Sequence, residues 1–286
     1  MELCHPNAAA LLERAGEFLL RRATQHSILL ATAERALDPS SLQPSFSTVE
    51  DSAGVILVAS LTKGRDLVIS AIRDDASVDA IQLVVADFLR RTEPVPGVFG
   101  PADSAIAFAN DWACAASVTF RERLRIGAFE LDRVVPPTWP AGEMRLATSE
   151  DIDLLATWAH AFIDEAKLPE SDRALATPDA LAKRVAMGTY YLWIADGVPV
   201  TMAAGGATSI PRIGPVYTPP SFRRHGYASA LVARLSQHLL DRGATKVALS
   251  ADVANPTSNK IYLALGYRRV GEDVMIAFES FTATRA

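Results

Sequence analysis

The fold can be read from the stretch Ile213-Gly-Pro-Val-Tyr-Thr-Pro-Pro-Ser-Phe-Arg223-Arg224-His225-Gly226-Tyr227-Ala228-Ser229-Ala230-Leu231. Its first six residues read as a strand, which Pro219-Pro220 must end because proline offers the ladder no donor. A short polar loop follows, and from about Gly226 the chain becomes helical. Leu231, Val232, Leu235, Leu239 and Leu240 share one face of that helix, and Gly243 suits a left-handed end cap. A helix N-terminus carries unpaired backbone N–H groups and about half a positive charge. Gly226 permits a tight turn and close approach of a ligand to the backbone, and Ala228 keeps the helix entrance small. Arg223 and Arg224 add charge at the same mouth, which suits a pyrophosphate.

A second strand and helix follow. Lys246–Ala251 reads as a strand, and Asn255-Pro256 opens a helix over 256–264 ahead of Gly266-Tyr267. Two strands joined by one helix form a crossover, expected right-handed with the strands parallel. Ligands of open α/β sheets bind where such strands end. Around this unit, Glu143–Ala147, Tyr190–Ala195 and Val198–Gly205 read as strands, the last two joined at Asp196-Gly197 as a hairpin. Thr148-Ser149-Glu150-Asp151 caps a helix through Ile152, Leu155 and Trp158, and two late strands run near 267–270 and 274–279. The sum is a mixed α/β sheet.

The two segments together resemble the GNAT superfamily of N-acetyltransferases. The family's Arg/Gln-x-x-Gly-x-Gly/Ala loop stands here as Arg223-x-x-Gly226-x-Ala228. Its later Asn, small residue, Leu/Ile-Tyr and Gly-Tyr/Phe stand as Asn255, Ser258, Ile261-Tyr262 and Gly266-Tyr267. The resemblance implies the GNAT fold: a mixed, mostly antiparallel sheet whose central parallel pair splays around the cofactor, flanked by helices. It implies acetyl-CoA as cofactor and a primary amine of a small molecule or peptide as acceptor. Backbone N–H groups of Arg224, His225, Gly226, Tyr227, Ala228 and Ser229 would hold the pyrophosphate, with Arg223 beside them. Val216 and Thr218, with Tyr217 between them, would bond the pantetheine arm as an added strand. Asn255 and Asn259 would contact the coenzyme arm or its adenosine side, with Ser258 also on the cofactor, and Tyr262 would protonate the leaving thiolate. Plainer readings stand beside these: Asn255 as a helix cap, Tyr262 as a core aromatic, and the arginines as solvated charges.

Direct transfer requires a neutral amine, so a base or a water chain must take a proton. Neither Ile213–Thr218 nor Val200–Ala207 contains an acid. Glu165 and Asp252 are the carboxylate candidates, with Glu165 taken as the catalytic one and a water relay left open. A non-catalytic acyl-CoA sensor is the alternative to an enzyme.

The N-terminal half reads as helices over 8–23 and through Leu29, Leu30 and Ala33, a hairpin from Gly54–Leu61 and Asp66–Ala71, and a helix from about Val78 to Arg90. A Pro/Gly-rich connection (Pro94, Pro96, Gly97, Gly100, Pro101), a helix near 102–115 and a strand over 118–134 complete it. It has no Arg-x-x-Gly-x-Ala loop. Either a degenerate tandem GNAT-like domain or an unrelated α+β domain fits this order. Val135–Gly142, with three prolines, reads as a linker, giving domains 1–135 and 143–286 with a linker at 136–142.

The 286 residues, 49% hydrophobic, suit two cores. A net charge of -5 argues against a nucleic-acid partner. Two cysteines, Cys4 and Cys114, give neither a disulfide framework nor a metal motif. With no basic-apolar leader and no long apolar run, the expectation is a cytoplasmic protein without a membrane span. Nothing in the pattern selects a particular amine or an oligomeric state.

Overall fold

The computed structural model describes residues 1–91, 93–206 and 208–280. Residues 281–286 of the expected C-terminal domain, and Ala207, lie outside them. Two compact units divide the chain. The first takes Met1–Ala128, Ala251–Ala254 and the chain from Val270 on, and the second takes Phe129–Ser250 and Asn255–Arg269.

The first unit begins with β1 (Glu2–Cys4), α1 (Ala8–Arg21), α2 (Ser27–Arg35), β2 (Ser45–Asp51) and β3 (Gly54–Leu61). It goes on through β4 (Leu67–Ile69), α3 (Asp79–Arg91), β5 (Gly97–Pro101), α4 (Ala102–Ala116) and β6 (Val118–Leu131). Asn7 caps α1 by accepting from the Ala10 N–H at 2.9 Å. Strands β1 to β4 pair antiparallel in sequence, and β4 pairs parallel with β5 through Leu67↔Val98 and Val68↔Phe99. Val84 and Phe88 of α3 and Phe108 of α4 are fully buried over β3, β4 and β5. Each such side chain contributes about 1.5–3 kcal/mol of transfer free energy.

The second unit runs β7 (Glu143–Leu146), α5 (Ile152–Glu165), α6 (Pro178–Ala186), β8 (Tyr190–Ala195), β9 (Val198–Gly205) and β10 (Arg212–Tyr217). Then come α7 (Tyr227–Asp241), β11 (Val247–Asp252) and α8 (Pro256–Ala264). Its strand order is β11-β10-β9-β8-β7. Successive residues of β8 serve opposite faces: Tyr190 joins the core under α5, while Tyr191 meets His238 of α7 at 5.8 Å. Helices therefore cover both sides of the sheet. The last strand, β12 (Arg268–Ser280), enters the first unit from Val270 and pairs antiparallel with β5, Val274↔Gly100 to Ala277↔Gly97. It is one strand where two short ones were expected.

The segment Gly97–Pro101, expected as a connection, is β5. Its glycines serve close approach rather than turning: a Cβ at Gly97 would lie 2.2 Å from the Ile276 carbonyl, and one at Gly100 would lie 2.3 Å from the Ile69 carbonyl. The strands β1 and β2 and the helix α6 carry patterns too short or too polar to be read from sequence.

The proline-rich segment lies along the second unit as a strap. Val135 N–H donates to the Leu265 carbonyl at 2.9 Å, and Trp193 Nε1 donates to the Ala141 carbonyl at 3.1 Å. Gly142 (φ +118°) passes so close to β8 that a Cβ would lie 2.2 Å from the Ile194 carbonyl.

Candidate functional site

The site gathers where β10 gives way to α7. The parallel register with β11 covers Arg212↔Ala248 and Ile213↔Leu249, and beyond it Val216 and Tyr217 are registered with β9. A bulge between Ile213 and Val216 interrupts that ladder. Buried Thr201 fixes the strand's end: its hydroxyl donates to the Tyr217 carbonyl at 2.8 Å and accepts from the Thr218 hydroxyl at 2.7 Å.

Past a 3₁₀ turn at Pro220–Phe222 the loop curls through two left-handed residues, Arg224 (φ +67°) and Gly226 (φ +81°). For an arginine this conformation costs roughly 1–2 kcal/mol, so the loop holds a shape that its composition alone would not choose. No side chain caps α7, and its first intrahelical bond is Ala230 N–H to the Gly226 carbonyl at 3.0 Å. The N–H groups of Tyr227, Ala228 and Ser229 are thus the orphan donors of a helix start. Arg224 stands exposed nearby, and the exposed His225 stacks on Tyr227 at 5.6 Å. This donor set fits a diphosphate.

Arg223 is engaged by a carboxylate and a carbonyl. Its Nη2 donates to both oxygens of Glu165, at 2.8 and 2.7 Å, and its Nε donates to the Thr218 carbonyl at 2.8 Å. The Tyr217 hydroxyl also donates to Glu165 Oε1, at 3.0 Å. Burial, and then the Glu165 carboxylate, raise the Tyr217 pKa above its usual value. The C-terminal end of α5 is thereby tied to the end of β10 and to the loop. The guanidinium thus engages both oxygens of Glu165.

On α8, Asn255 accepts from the Ser258 N–H at 3.1 Å as the N-cap, and Asn259 Nδ2 donates to the Asn255 carbonyl at 2.8 Å. The capping reading of Asn255 is the one its side-chain oxygen follows. Tyr262 packs against Phe129 at 6.3 Å and edge-on to Tyr267 at 6.0 Å. The Tyr267 hydroxyl bonds to Ser236 on α7 at 2.8 Å. Burial pushes the Tyr262 hydroxyl up to about 12, so it keeps its proton at neutral pH.

The family model described as FR47-like protein matches residues 195–276, from the end of β8 into β12. Among solved structures, a Drosophila protein superposes with a TM-score of 0.71 at 14% identity, over 97% of this chain and 98% of that one. A GCN5-related N-acetyltransferase of Sphaerobacter thermophilus gives 0.61 at 18%, over 98% and 95%. A tandem GNAT protein from clavulanic acid biosynthesis gives 0.55 at 11%, over 98% of each chain. The fold is the GNAT fold. No curated protein matches the sequence.

The candidate site thus brings Val216, Tyr217, Thr218 and the 223–229 loop together around one helix start. One residue and one pairing escaped the sequence reading. Thr201 carries no motif, and the Glu165–Arg223 pair joins residues 58 apart in the chain. Among the described residues no group of His, Cys, Asp or Glu is placed to hold a metal. Nor, among them, is any helix long and apolar enough to cross a membrane.

Proposed function

We propose that the second unit is an acetyl-CoA-dependent N-acetyltransferase acting on a primary amine of a small molecule or peptide. The observation that carries this reading is the uncapped start of α7 beneath a loop held in left-handed turns. Such a start offers converging N–H donors and a positive dipole end to a diphosphate. Val216 and Thr218 would hold the pantetheine arm through their backbones. Acetyl-CoA would supply an activated thioester carbonyl.

Tyr262 holds a proton on its hydroxyl at neutral pH and delivers it to the departing sulfur. Glu165, neutralised by Arg223, orients the Tyr217 hydroxyl and pins the loop, and it leaves amine deprotonation to water. Replacing Tyr262 by Phe tests the assignment. Turnover should fall by about 10²- to 10⁴-fold while acetyl-CoA binding, measured by calorimetry, stays within twofold. Unchanged turnover would remove Tyr262 from the chemistry.

One observation favours a second reading, a non-catalytic acyl-CoA-binding module. Among the described residues of β9 and β10 there is no carboxylate, and Glu165 is engaged. Coenzyme binding without turnover on any amine would select it.

A further inference from the structure

Of the four tryptophans, Trp112, Trp158 and Trp193 are 7%, 7% and 2% exposed, whereas Trp139 on the strap is 41% exposed. The guanidinium of Arg234 lies over its ring at 4.2 Å. No carboxylate pairs with Arg234 among the described residues. The next strap residue, Pro140, lies 3.9 Å from where a Cβ on Gly226 would sit, so the stack adjoins the uncapped start of α7. Arg234 follows Tyr227 by two helical turns, roughly 10 Å along the axis, a span that a ribose can bridge. The contact with Arg234 holds the exposed indole in place. The pair offers a flat π-surface to a heteroaromatic base and a positive charge to a phosphate on the same nucleotide.

We propose that Trp139, backed by Arg234, takes the adenine of the coenzyme, so that the strap supplies the nucleotide end of the second unit's site. The proposal rests on the coenzyme reading above. It makes Trp139 a binding residue, with Arg234 placed to meet the phosphate on the ribose.

Acetyl-CoA and its adenine-bearing fragment, adenosine 3′,5′-bisphosphate, are titrated into the full chain with tryptophan fluorescence and heat as readouts. Both should quench the fluorescence saturably, and Trp139→Phe should abolish the quench while acetyl-CoA still binds. Trp139→Ala should weaken acetyl-CoA by about 5- to 50-fold, the range of base–aromatic stacking, and Trp139→Tyr should restore most of it. Acetyl-4′-phosphopantetheine, which lacks the base, should bind wild type and Trp139→Ala equally.

Wild-type affinity of Trp139→Ala for acetyl-CoA would overturn the proposal and leave the coenzyme reading standing. An equal loss for acetyl-4′-phosphopantetheine would also overturn it, showing that the strap merely supports the loop. A wild type that binds no acetyl-CoA would overturn both readings together.

Discussion

The two units run through the same element order and treat the same corner in opposite ways. Each has a strand, two helices, three antiparallel strands, then a helix leading to a parallel strand: β1 to β5 in the first unit and β7 to β11 in the second. In the second, α7 starts uncapped behind Arg223, Arg224 and His225. In the first, the amides at the start of α3 are already used. Asp79 N–H donates to the Ser77 hydroxyl at 3.2 Å, Ala80 N–H to the Ser77 carbonyl at 3.3 Å, and Ile81 N–H to the Val78 carbonyl at 2.9 Å. The loop before α3 carries Asp74 and Asp75, and Asp79 follows in the helix's first turn.

The ion pair that ties the first helix to this loop is present in both units with its charges exchanged. The helix side is Glu165 and the loop side Arg223 in the second unit, whereas in the first they are Arg22 and Asp74. Backbone also differs. The β3–β4 ladder pairs Ala59↔Ile69 and Ser60↔Val68 in one register, whereas the corresponding β9–β10 ladder shifts between Ile213 and Val216. One topology can therefore leave a helix start open or close it through the polarity of one loop and the capping of one helix.

The strongest challenge to this contrast is Ala228→Asp, which adds a carboxylate at the start of α7. An acid there suits the helix dipole, so the variant should fold. Like charges about 4 Å apart repel by about 4 kcal/mol at an effective dielectric near 20, and acetyl-CoA affinity should fall by at least about 100-fold in calorimetry. Wild type should titrate at one coenzyme per chain, and a second equivalent would break the comparison.

Next in size is Gly100→Ala. The added methyl meets the Ile69 carbonyl, and urea unfolding should show a loss of about 3 kcal/mol, the upper end of overpacking costs. Ser250→Ala on β11 should cost under about 1 kcal/mol.

Acidification sharpens the contrast in a different way, because His26 of the first unit is buried and the described histidines of the second are not. Its Nδ1 donates to the Leu19 carbonyl at 2.9 Å, and its Nε2 accepts from the Ala71 N–H at 3.0 Å. Burial lowers its pKa from 6.5 to about 4. The unfolded chain therefore binds the proton first. The stability from neutral His26 is whole above pH 6.5 and drains as pH falls toward 4, by roughly 3 kcal/mol at about 1.4 kcal/mol per pH unit. Urea midpoints at pH 7.5 and pH 4.5 measure it, and His26→Gln should flatten the slope.

The smallest effect expected is that of Arg223→Met. The pair with Glu165 is half exposed, so its loss should cost on the order of 1 kcal/mol or less in stability. Steady-state kinetics should show a rise of about 3- to 10-fold in KM for acetyl-CoA as the loop loosens. An unchanged KM would reduce the exchanged ion pair to a surface contact.

Much of the second unit was legible because its signals are local. Proline stops β10, leucines at helical spacing define α7, and Asp196-Gly197 turns the hairpin. The first unit was harder to read, since the glycines of β5 mimic a loop when read in sequence and reveal their purpose only against Ile69 and Ile276. The partner of Arg223 was missed for a related reason. A positive side chain beside a helix start reads as a phosphate ligand until the carboxylate that claims it, 58 residues earlier, is seen in place. The boundary near residue 135 was read from prolines, which mark where regular structure must stop but do not reveal what the irregular chain then touches.

By itself the sequence determined the α/β class, the strand-loop-helix around Arg223–Ser229, and the residues of the two motifs. These follow from backbone rules that act within a few residues: missing donors at proline, allowed φ at glycine, and periodic burial. Tertiary structure alone decided which of those groups remain available. Capping, ion pairing and close strand approach are contacts between distant residues, and they leave the N–H groups of α7 open, spend those of α3, bind Glu165 to Arg223, and lay Trp139 beside the mouth of the site.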